Sequence, residues 1–231
     1  CYGIPFKDVY KYIAVDNEFG ARRKMAIKSH DFAIHVPAKA PNSEAIVDGG
    51  ELSPLSVESQ TVILKALQKS SREYQLMFYL ALFTGARLQT ICTLRIKSLI
   101  GCELDSHGFI RLPVGAGTGI DSKFQKPMTL LIPNWLAQDL KIYINSEQAS
   151  QRRQKSNYGE SDENYVFLTK LGTPFYTSKV EQQELTEKIK SSDSFGMRLK
   201  LYEGEAVRSY LKVVLLPEIR LIDPQFPSFK F

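Results

Sequence analysis

The sequence is short of the residues that cross-link small domains or bind metal in them, with three cysteines and three histidines among 231 residues. Those counts exclude a disulfide scaffold and argue against a structural zinc site. No run reaches the roughly 18 apolar residues that a membrane span needs, and no signal peptide opens the chain. We therefore expect a protein of the reducing cytoplasm that has no membrane partner.

Two signatures of cofactor chemistry are missing as well. The glycine-rich segment Gly115-Ala-Gly-Thr-Gly119 lacks the Lys-Ser/Thr ending of a phosphate-binding loop, so we interpret it as a flexible loop between strands. The sequence also lacks a His/Asp cluster. We expect neither a nucleotide nor a metal as cofactor.

What the chain does contain is enough apolar surface for a sizeable core. Hydrophobic residues make up 43% of the sequence and aromatic residues 11%, which argues against intrinsic disorder. Thirty Lys and Arg residues against 25 Asp and Glu give a formal charge of +5. That balance permits nucleic-acid binding without demonstrating it.

Composition divides the chain into three parts. Residues 1–29 are charged and carry apolar residues at helical spacing, so we expect a helix there. Residues 36–54 contain several prolines and two adjacent glycines, which is typical of a linker. Residues 55–231 should form the main domain.

The main domain should open with helices. Ser56 is a candidate N-cap for the first one. Residues 73–83 are apolar nearly all round, which predicts a buried helix with Gly85 as its C-cap. A short helix should follow, with core-facing positions at Leu88, Ile91 and Cys92.

The periodicity then changes. Turn residues separate three short apolar segments, at 98–104, 109–114 and 127–132. They predict a three-stranded antiparallel sheet, and residues 147–164 predict an exposed loop. Further helices are expected from Asn134, over 178–190 and over 203–216, the last of them ending or turning at Pro217. The predicted fold class is α+β, mainly α with this small three-stranded sheet.

The most informative segment is TGARLQTICTLR, which runs from Thr84 to Arg95. Arg87 lies at the start of the short helix, where the helix dipole disfavours a cation. Stability alone therefore accounts poorly for an arginine there. The alternative is an ordinary arginine at a helix edge whose side chain reaches solvent.

This segment resembles the first box of the tyrosine recombinases, the phage-integrase family, in which T-G-x-R places a catalytic arginine at a helix start. Ala81-Leu-Phe-Thr-Gly-Ala-Arg87, followed by Leu94-Arg95, is similar to that box. Family members often have Glu or Asp three residues after the arginine, whereas this chain has Thr90. The resemblance implies a catalytic role for Arg87. It does not supply the carboxylate that usually braces this arginine, because position 90 is a threonine.

In the same family, the second β-turn of a three-stranded sheet carries a catalytic lysine. The corresponding region here, 121–133, reads DSKFQKPMTLLIP. The resemblance assigns the lysine to Lys123, with Lys126 as the alternative, although both are also consistent with solvated hairpin residues. Further on, YVFLTKLGTP over 165–174 resembles the stretch that precedes the family's C-terminal helices.

The resemblance implies a defined chemistry. A tyrosine hydroxyl attacks a DNA phosphodiester and forms a 3′-phosphotyrosyl bond with release of a 5′-hydroxyl. Arginine suits the charged transition state because its guanidinium stays protonated and donates two parallel hydrogen bonds. The lysine protonates the departing oxygen as a general acid. Since the covalent intermediate retains the bond energy, neither ATP nor metal is needed.

The last elements of the family pattern are missing from the sequence. The family needs an H-x-x-R motif and, further along, the tyrosine nucleophile, but every histidine here precedes Lys123. Arg208 has Glu205 in the place of that histidine, so we weigh this pair only as a degenerate second motif. We prefer to expect the motif beyond Phe231, because residues 204–220 resemble the segment that leads into it in one subgroup of integrases.

We therefore expect a catalytic domain that is incomplete at its C-terminus. The chain begins with Cys1 and not with Met, which also suggests a piece of a longer protein. Residues 1–35 would be the end of the family's N-terminal core-binding domain.

The implied function is that of a site-specific recombinase or integrase of a mobile element. Its partner would be duplex DNA at attachment sites, bound by a tetramer of the full-length protein. Candidate phosphate contacts are Arg95, Lys97 and Lys126, each of which is also consistent with a solvated surface charge. The alternative is a non-catalytic DNA-binding protein built on a recombinase-like fold.

Overall fold

A computed structural model describes residues 8–16, 22–30, 46–47, 51–52, 55–191, 201–227 and 229. Contacts between residues divide the chain into two units, Cys1–Ser53 and Pro54–Phe231. We describe each unit by itself.

The first unit contains strands where we expected a helix. β1 (Asp8–Asp16) pairs antiparallel with β2 (Arg22–His30), from Asp8 opposite His30 to Asp16 opposite Arg22. The helical prediction for residues 1–29 is therefore wrong in the described part. The apolar residues that suggested a helix are Val9, Ile13 and Val15, and their spacings of four and two residues are also those of one face of a strand. Because β1 is rich in β-branched and aromatic residues, the extended conformation is favoured.

Two shorter strands follow in the same unit. β3 (Ile46–Val47) pairs antiparallel with β4 (Glu51–Leu52). The predicted linker, 36–54, includes these strands and otherwise lies outside the described residues. The assignment of residues 1–35 to a core-binding domain stays a prediction.

The second unit begins with two predicted helices. α1 (Val57–Leu67) is capped by Ser56, whose Oγ accepts the Ser59 N–H at 3.2 Å. α2 (Arg72–Thr84) ends at Gly85, which adopts a left-handed conformation with φ +66°. Both cap predictions are confirmed.

Two short helices connect α2 to the sheet. α3 (Leu88–Cys92) turns Leu88, Ile91 and Cys92 into the core as predicted. α4 (Ile96–Ile100) occupies the start of the segment predicted as the first strand. Ile96 and Leu99 are both buried, and their spacing of three residues suits a helix packed on the core.

The sheet of the second unit has two strands in the described residues. β5 (Phe109–Val114) pairs antiparallel with β6 (Met128–Pro133), with Phe109 opposite Pro133 and Val114 opposite Met128. From the predicted first strand, 98–104, only Leu104 contributes, as a single bridge to Ile110. The prediction of three strands is therefore wrong, and the fold is α+β, mainly helical with a small antiparallel pair.

The remaining elements are helical. They are α5 (Asn134–Ile144), α6 (Glu147–Gln154), α7 (Lys179–Ser191), α8 (Glu205–Tyr210) and α9 (Leu216–Ile222). A π-helical turn over Leu211–Leu215 joins α8 to α9, and the Leu216 N–H bonds to the Leu211 carbonyl. We expected the helix to end or turn at Pro217, but it continues past this residue. Proline has no N–H to donate, and the π-helical turn just before it accommodates the missing hydrogen bond. None of the described helices is both long and apolar enough to cross a membrane.

Residues 147–164, predicted to be an exposed loop, contribute to the buried interior. Arg152 of α6 is 4% exposed and donates from Nη2 to Glu73 Oε1 of α2 at 2.7 Å. Its Nη1 donates to the Leu168 carbonyl at 2.8 Å. The loop prediction is therefore wrong for α6, which is attached to α2 by an ion pair inside the protein, whereas residues 155–163 form turns at or near the surface as predicted.

Candidate functional site

Arg87 lies between two helices that hold its backbone firmly. It is the N-cap residue of α3, with an extended backbone at φ −72° and ψ 154°, and it follows the left-handed Gly85 that ends α2. The next residue, Leu88, is buried, whereas Arg87 itself is exposed. The junction between α2 and α3 therefore places Arg87 at the protein surface.

Lys123 lies in the connection between β5 and β6, the β-turn to which we assigned the lysine. It opens a 3₁₀ turn, Lys123–Gln125, and its side chain is exposed. Its Nζ lies 5.5 Å from the centroid of the Phe124 ring, and Phe124 is 76% exposed. The alternative, Lys126, is also exposed and follows the turn directly.

A buried carboxylate attaches this turn to the helix that follows Arg87. Asp121, two residues before Lys123, is 1% exposed and accepts the Gln89 Nε2–H at 2.8 Å. The backbone N–H of Asp121 donates to Thr93 Oγ1 at 2.9 Å. Since Gln89 lies in α3, two residues after Arg87, the turn that carries Lys123 is docked against the helix that Arg87 begins.

The start of α8 also packs on this region. A Cβ added at Gly204, which has φ +84°, would lie 2.7 Å from Leu88 Cδ2, so glycine allows the close approach. Arg208 is exposed and donates from Nη1 to the Glu203 carbonyl at 2.6 Å. Burial raises the pKa of Cys92 in α3, and the positive charge of Arg208 opposes that rise.

Arg208 is thus a further candidate, which the sequence suggested only as part of a degenerate second motif. The signal was the Glu205–Arg208 spacing, which we set aside because Glu205 stands where the motif has histidine. The start of α8 lies beside Leu88, the neighbour of Arg87. Arg208 is therefore a candidate for the same site even though Glu205 replaces the histidine of the motif.

Arg95 does not suit the phosphate contact that we predicted for it. The residue is 5% exposed, and its guanidinium carbon lies 3.7 Å from the centroid of the Tyr165 ring. Its two terminal nitrogens donate to the Glu163 carbonyl and to Ser178 Oγ, both at 2.9 Å. Because these internal contacts occupy the group, we assign Arg95 to the packing of the segment around Tyr165.

Lys97 remains at the surface, where it pairs with an acidic residue. Its Nζ lies 2.6 Å from Glu163 Oε2, and both side chains are about half exposed, at 49% and 60%. An exposed pair of this kind contributes little to stability. A DNA phosphate would therefore have to compete with Glu163 for Lys97. The DNA contact predicted for Lys126 stays a prediction.

The geometry of the turn gives a first testable prediction, at Gly115. This glycine has φ +109°, and an added Cβ would lie 2.4 Å from the Lys126 carbonyl oxygen. Gly117 also has a positive φ, +81°, but has no atom within 4 Å of such a Cβ. We expect Gly115→Ala to lower the free energy of unfolding by about 2 kcal/mol more than Gly117→Ala, since only the first variant adds overlap to backbone strain. Urea unfolding of both variants measures the difference, and equal losses would contradict the described course of the turn.

Neither a protein-family model nor a curated protein matches the sequence. The contacts around Arg87, Lys123 and Arg208 are therefore the basis on which a function can be proposed.

Proposed function

We propose that the protein is a DNA strand transferase of the tyrosine-recombinase type. Arg87 and Arg208 would bind the scissile phosphate, and Lys123 would protonate the leaving oxygen. The observation that supports this most is the 2.8 Å hydrogen bond between Gln89 and Asp121, which docks the Lys123 turn on the helix that Arg87 begins.

The three cations fit the roles that the reaction requires. Two guanidinium groups donate hydrogen bonds to the non-bridging oxygens, on which negative charge accumulates in the transition state. An ammonium group on a turn can reach the departing 5′-oxygen as a general acid. All three side chains are exposed, so a DNA backbone has access to them.

The alternative, a non-catalytic DNA-binding protein, needs no nucleophile, and five described tyrosines are poorly suited to be one. Burial raises the pKa of Tyr143 to about 12 and also raises the pKa values of Tyr74, Tyr158, Tyr176 and Tyr210. A raised pKa makes a hydroxyl a poorer nucleophile at neutral pH. In the proposal, the nucleophile is none of these five residues.

The decisive experiment is the trapping of a covalent protein–DNA adduct by the protein as its gene encodes it. Selection from a pool of random duplexes first identifies a bound sequence, and nicks are then introduced at each position of that sequence. The nick lets the 5′-product diffuse away, so a phosphotyrosyl adduct accumulates and is retained on a denaturing gel. Adduct supports the transferase. Specific binding without adduct at any nick supports the DNA-binding alternative.

Salt should control the affinity for DNA. If Arg87, Lys123 and Arg208 each neutralise one phosphate, then replacing all three with glutamine should reduce the slope of log K against log[salt] by about 3, at about 0.9 per contact. Fluorescence anisotropy with a labelled duplex at several salt concentrations measures this slope. Lys69→Gln is the control, because Lys69 pairs with Glu218 at 2.7 Å and is not assigned to the site. Equal slopes for the parent and the triple variant would contradict the assignment of these cations to phosphates.

A further inference from the structure

We infer that Asp121 is a positioning residue, whose carboxylate holds the Lys123 turn in one strained conformation against α3 and α7. The inference about the turn stands on the hydrogen bonds alone. Its importance for DNA cleavage rests on the proposed function.

The turn is strained at two consecutive residues. Phe124 and Gln125 both have φ +56°, in the left-handed region that residues with a Cβ rarely adopt. Such conformations persist only where the surrounding contacts determine them, and they concentrate at functional sites. Without those contacts, the segment around Lys123 would relax to a more extended backbone.

Besides the bonds within the turn, such as that from Ser122 Oγ to the Lys126 carbonyl at 2.6 Å, hydrogen bonds from three separate segments converge on one carboxylate. Asp121 Oδ1 accepts the Gln125 Nε2–H at 2.9 Å, from one of the two strained residues. Asp121 Oδ2 accepts from Gln89 Nε2 at 2.8 Å and from the backbone N–H of Lys179, the first residue of α7, at 3.1 Å. The turn, α3 and α7 are thus joined at a single buried group.

The Asp121 side chain suits this position because it is a carboxylate. An ionised carboxylate offers only acceptors, which matches three N–H donors that arrive from three directions. An asparagine has one amide oxygen and would direct an N–H₂ group at one set of these donors. With its oxygen in the place of Oδ2, it would keep the bonds from Gln89 and Lys179 but turn its N–H₂ group toward the Gln125 amide. The bonds that remain would also lose the negative charge of the acceptor. Asp121→Asn therefore keeps the shape of the residue and removes the match.

The glycine-rich loop before the turn would allow the turn to move once the hydrogen bonds to Asp121 are lost. Gly115, Gly117 and Gly119 all have positive φ values, so the loop that enters the turn depends on glycine. Within the loop, the Ala116 N–H donates to the Gln125 carbonyl at 3.1 Å and the Lys126 N–H to the Lys123 carbonyl at 3.2 Å. These two amides report whether the turn keeps its conformation.

The first test is hydrogen exchange at the Ala116 and Lys126 amides in Asp121→Asn. We expect exchange there to accelerate by about tenfold or more, because hydrogen bonds to a charged group are lost. Asp105→Asn is the matched control, since Asp105 accepts the N–H groups of His107 and Phe109 at the opposite end of β5. Gln125→Ala is a milder second variant that removes one of the three donors and should give a smaller acceleration of the same kind. Unchanged exchange at both amides in Asp121→Asn would overturn the inference.

The second test asks whether Asp121 acts on DNA through Lys123. DNA affinity is measured for Asp121→Asn, for Lys123→Gln and for the double variant. We expect Asp121→Asn to weaken binding several-fold with Lys123 present and to have no further effect in the Lys123→Gln background. Additive losses would show that Asp121 contributes only through general stability and would overturn its role toward Lys123. If the unsubstituted protein does not bind DNA, the proposed function fails, while the exchange measurement still decides the role of Asp121 in the turn.

Discussion

Replacing Arg152 with methionine should lower the free energy of unfolding by about 3–5 kcal/mol, because it leaves a charge uncompensated inside the protein. The Arg152 and Glu73 side chains are only 5% and 4% exposed, so water cannot take the place of the lost partner. Glu73 Oε2 already has no hydrogen-bond partner among the described atoms. The variant would leave the other oxygen of the same carboxylate without one as well. Urea unfolding at neutral pH measures the loss.

Two further variants separate the lost charge pair from lost packing. In Glu73→Gln/Arg152→Met, neither position of the pair carries a charge, and we expect at least half of the lost stability to return. Arg153→Met is the matched single substitution, since Arg153 lies next in the chain and pairs with Glu160, whose side chain is 48% exposed. It should cost less than Arg152→Met because the abandoned carboxylate stays in contact with water. Equal losses at Arg152 and Arg153 would show that the buried pair has no special importance.

Removal of the Arg87 guanidinium should have the largest effect on activity. We expect Arg87→Ala to slow formation of the covalent DNA adduct by about 10²–10³-fold, comparable to the loss of an oxyanion-hole donor. DNA affinity should fall much less, because most phosphate contacts along a duplex remain. Arg87→Lys should restore little of the rate, since a point charge does not reproduce the two parallel hydrogen bonds of a guanidinium.

Arg208 permits an independent check of the same site. Arg208→Ala should reduce the rate of adduct formation by a similar factor, with affinity again largely kept. Arg111→Ala serves as the control, because Arg111 pairs with Asp105 at 2.9 Å on the sheet. An unchanged rate in Arg208→Ala, together with a strong loss in Arg87→Ala, would show that Arg208 is not the second arginine of the site. Unchanged rates in both variants would exclude the proposed site.

The parts of the fold that the sequence predicted correctly are those with local signals. Ser56 and Gly85 lie at the ends of helices, and the contacts that fix them involve residues at most four positions away. The failures arose where distant residues decide the structure. Residues 147–164 look polar, but Arg152 is buried because Glu73 lies beside it, 79 residues away in sequence. Residues 98–104 are apolar at spacings that suit either a strand or a helix, and packing selected the helix for residues 98–100.

The candidate site divides in the same way. Arg87 and Lys123 were nominated by short motifs, and both are exposed as their assigned roles require. The contact between their segments could not be predicted, because Gln89 and Asp121 are 32 residues apart and neither belongs to a motif. For Arg95 the sequence predicted a contact with a DNA phosphate. Its guanidinium instead contacts Tyr165 and Ser178 inside the protein, which the sequence did not reveal. The left-handed backbone at Phe124 and Gln125 has no sequence signal at all, because neither residue favours it.

The π-helical turn between α8 and α9 has a consequence for how the C-terminal helix tolerates insertions and deletions. Such a turn holds one residue more than an α-helix would need over the same length, so it takes up that residue while the helix after it keeps its rotational phase. Deleting Val213 or Val214, which are 69% and 44% exposed, would appear to be a harmless shortening of the surface. It would remove the extra residue and leave a regular α-helix over the same length, so α9 would keep its orientation relative to α8. Deleting the exposed Ser209 of α8 would instead rotate α9 by about 100° and turn Ile219, which is fully buried, out of the core.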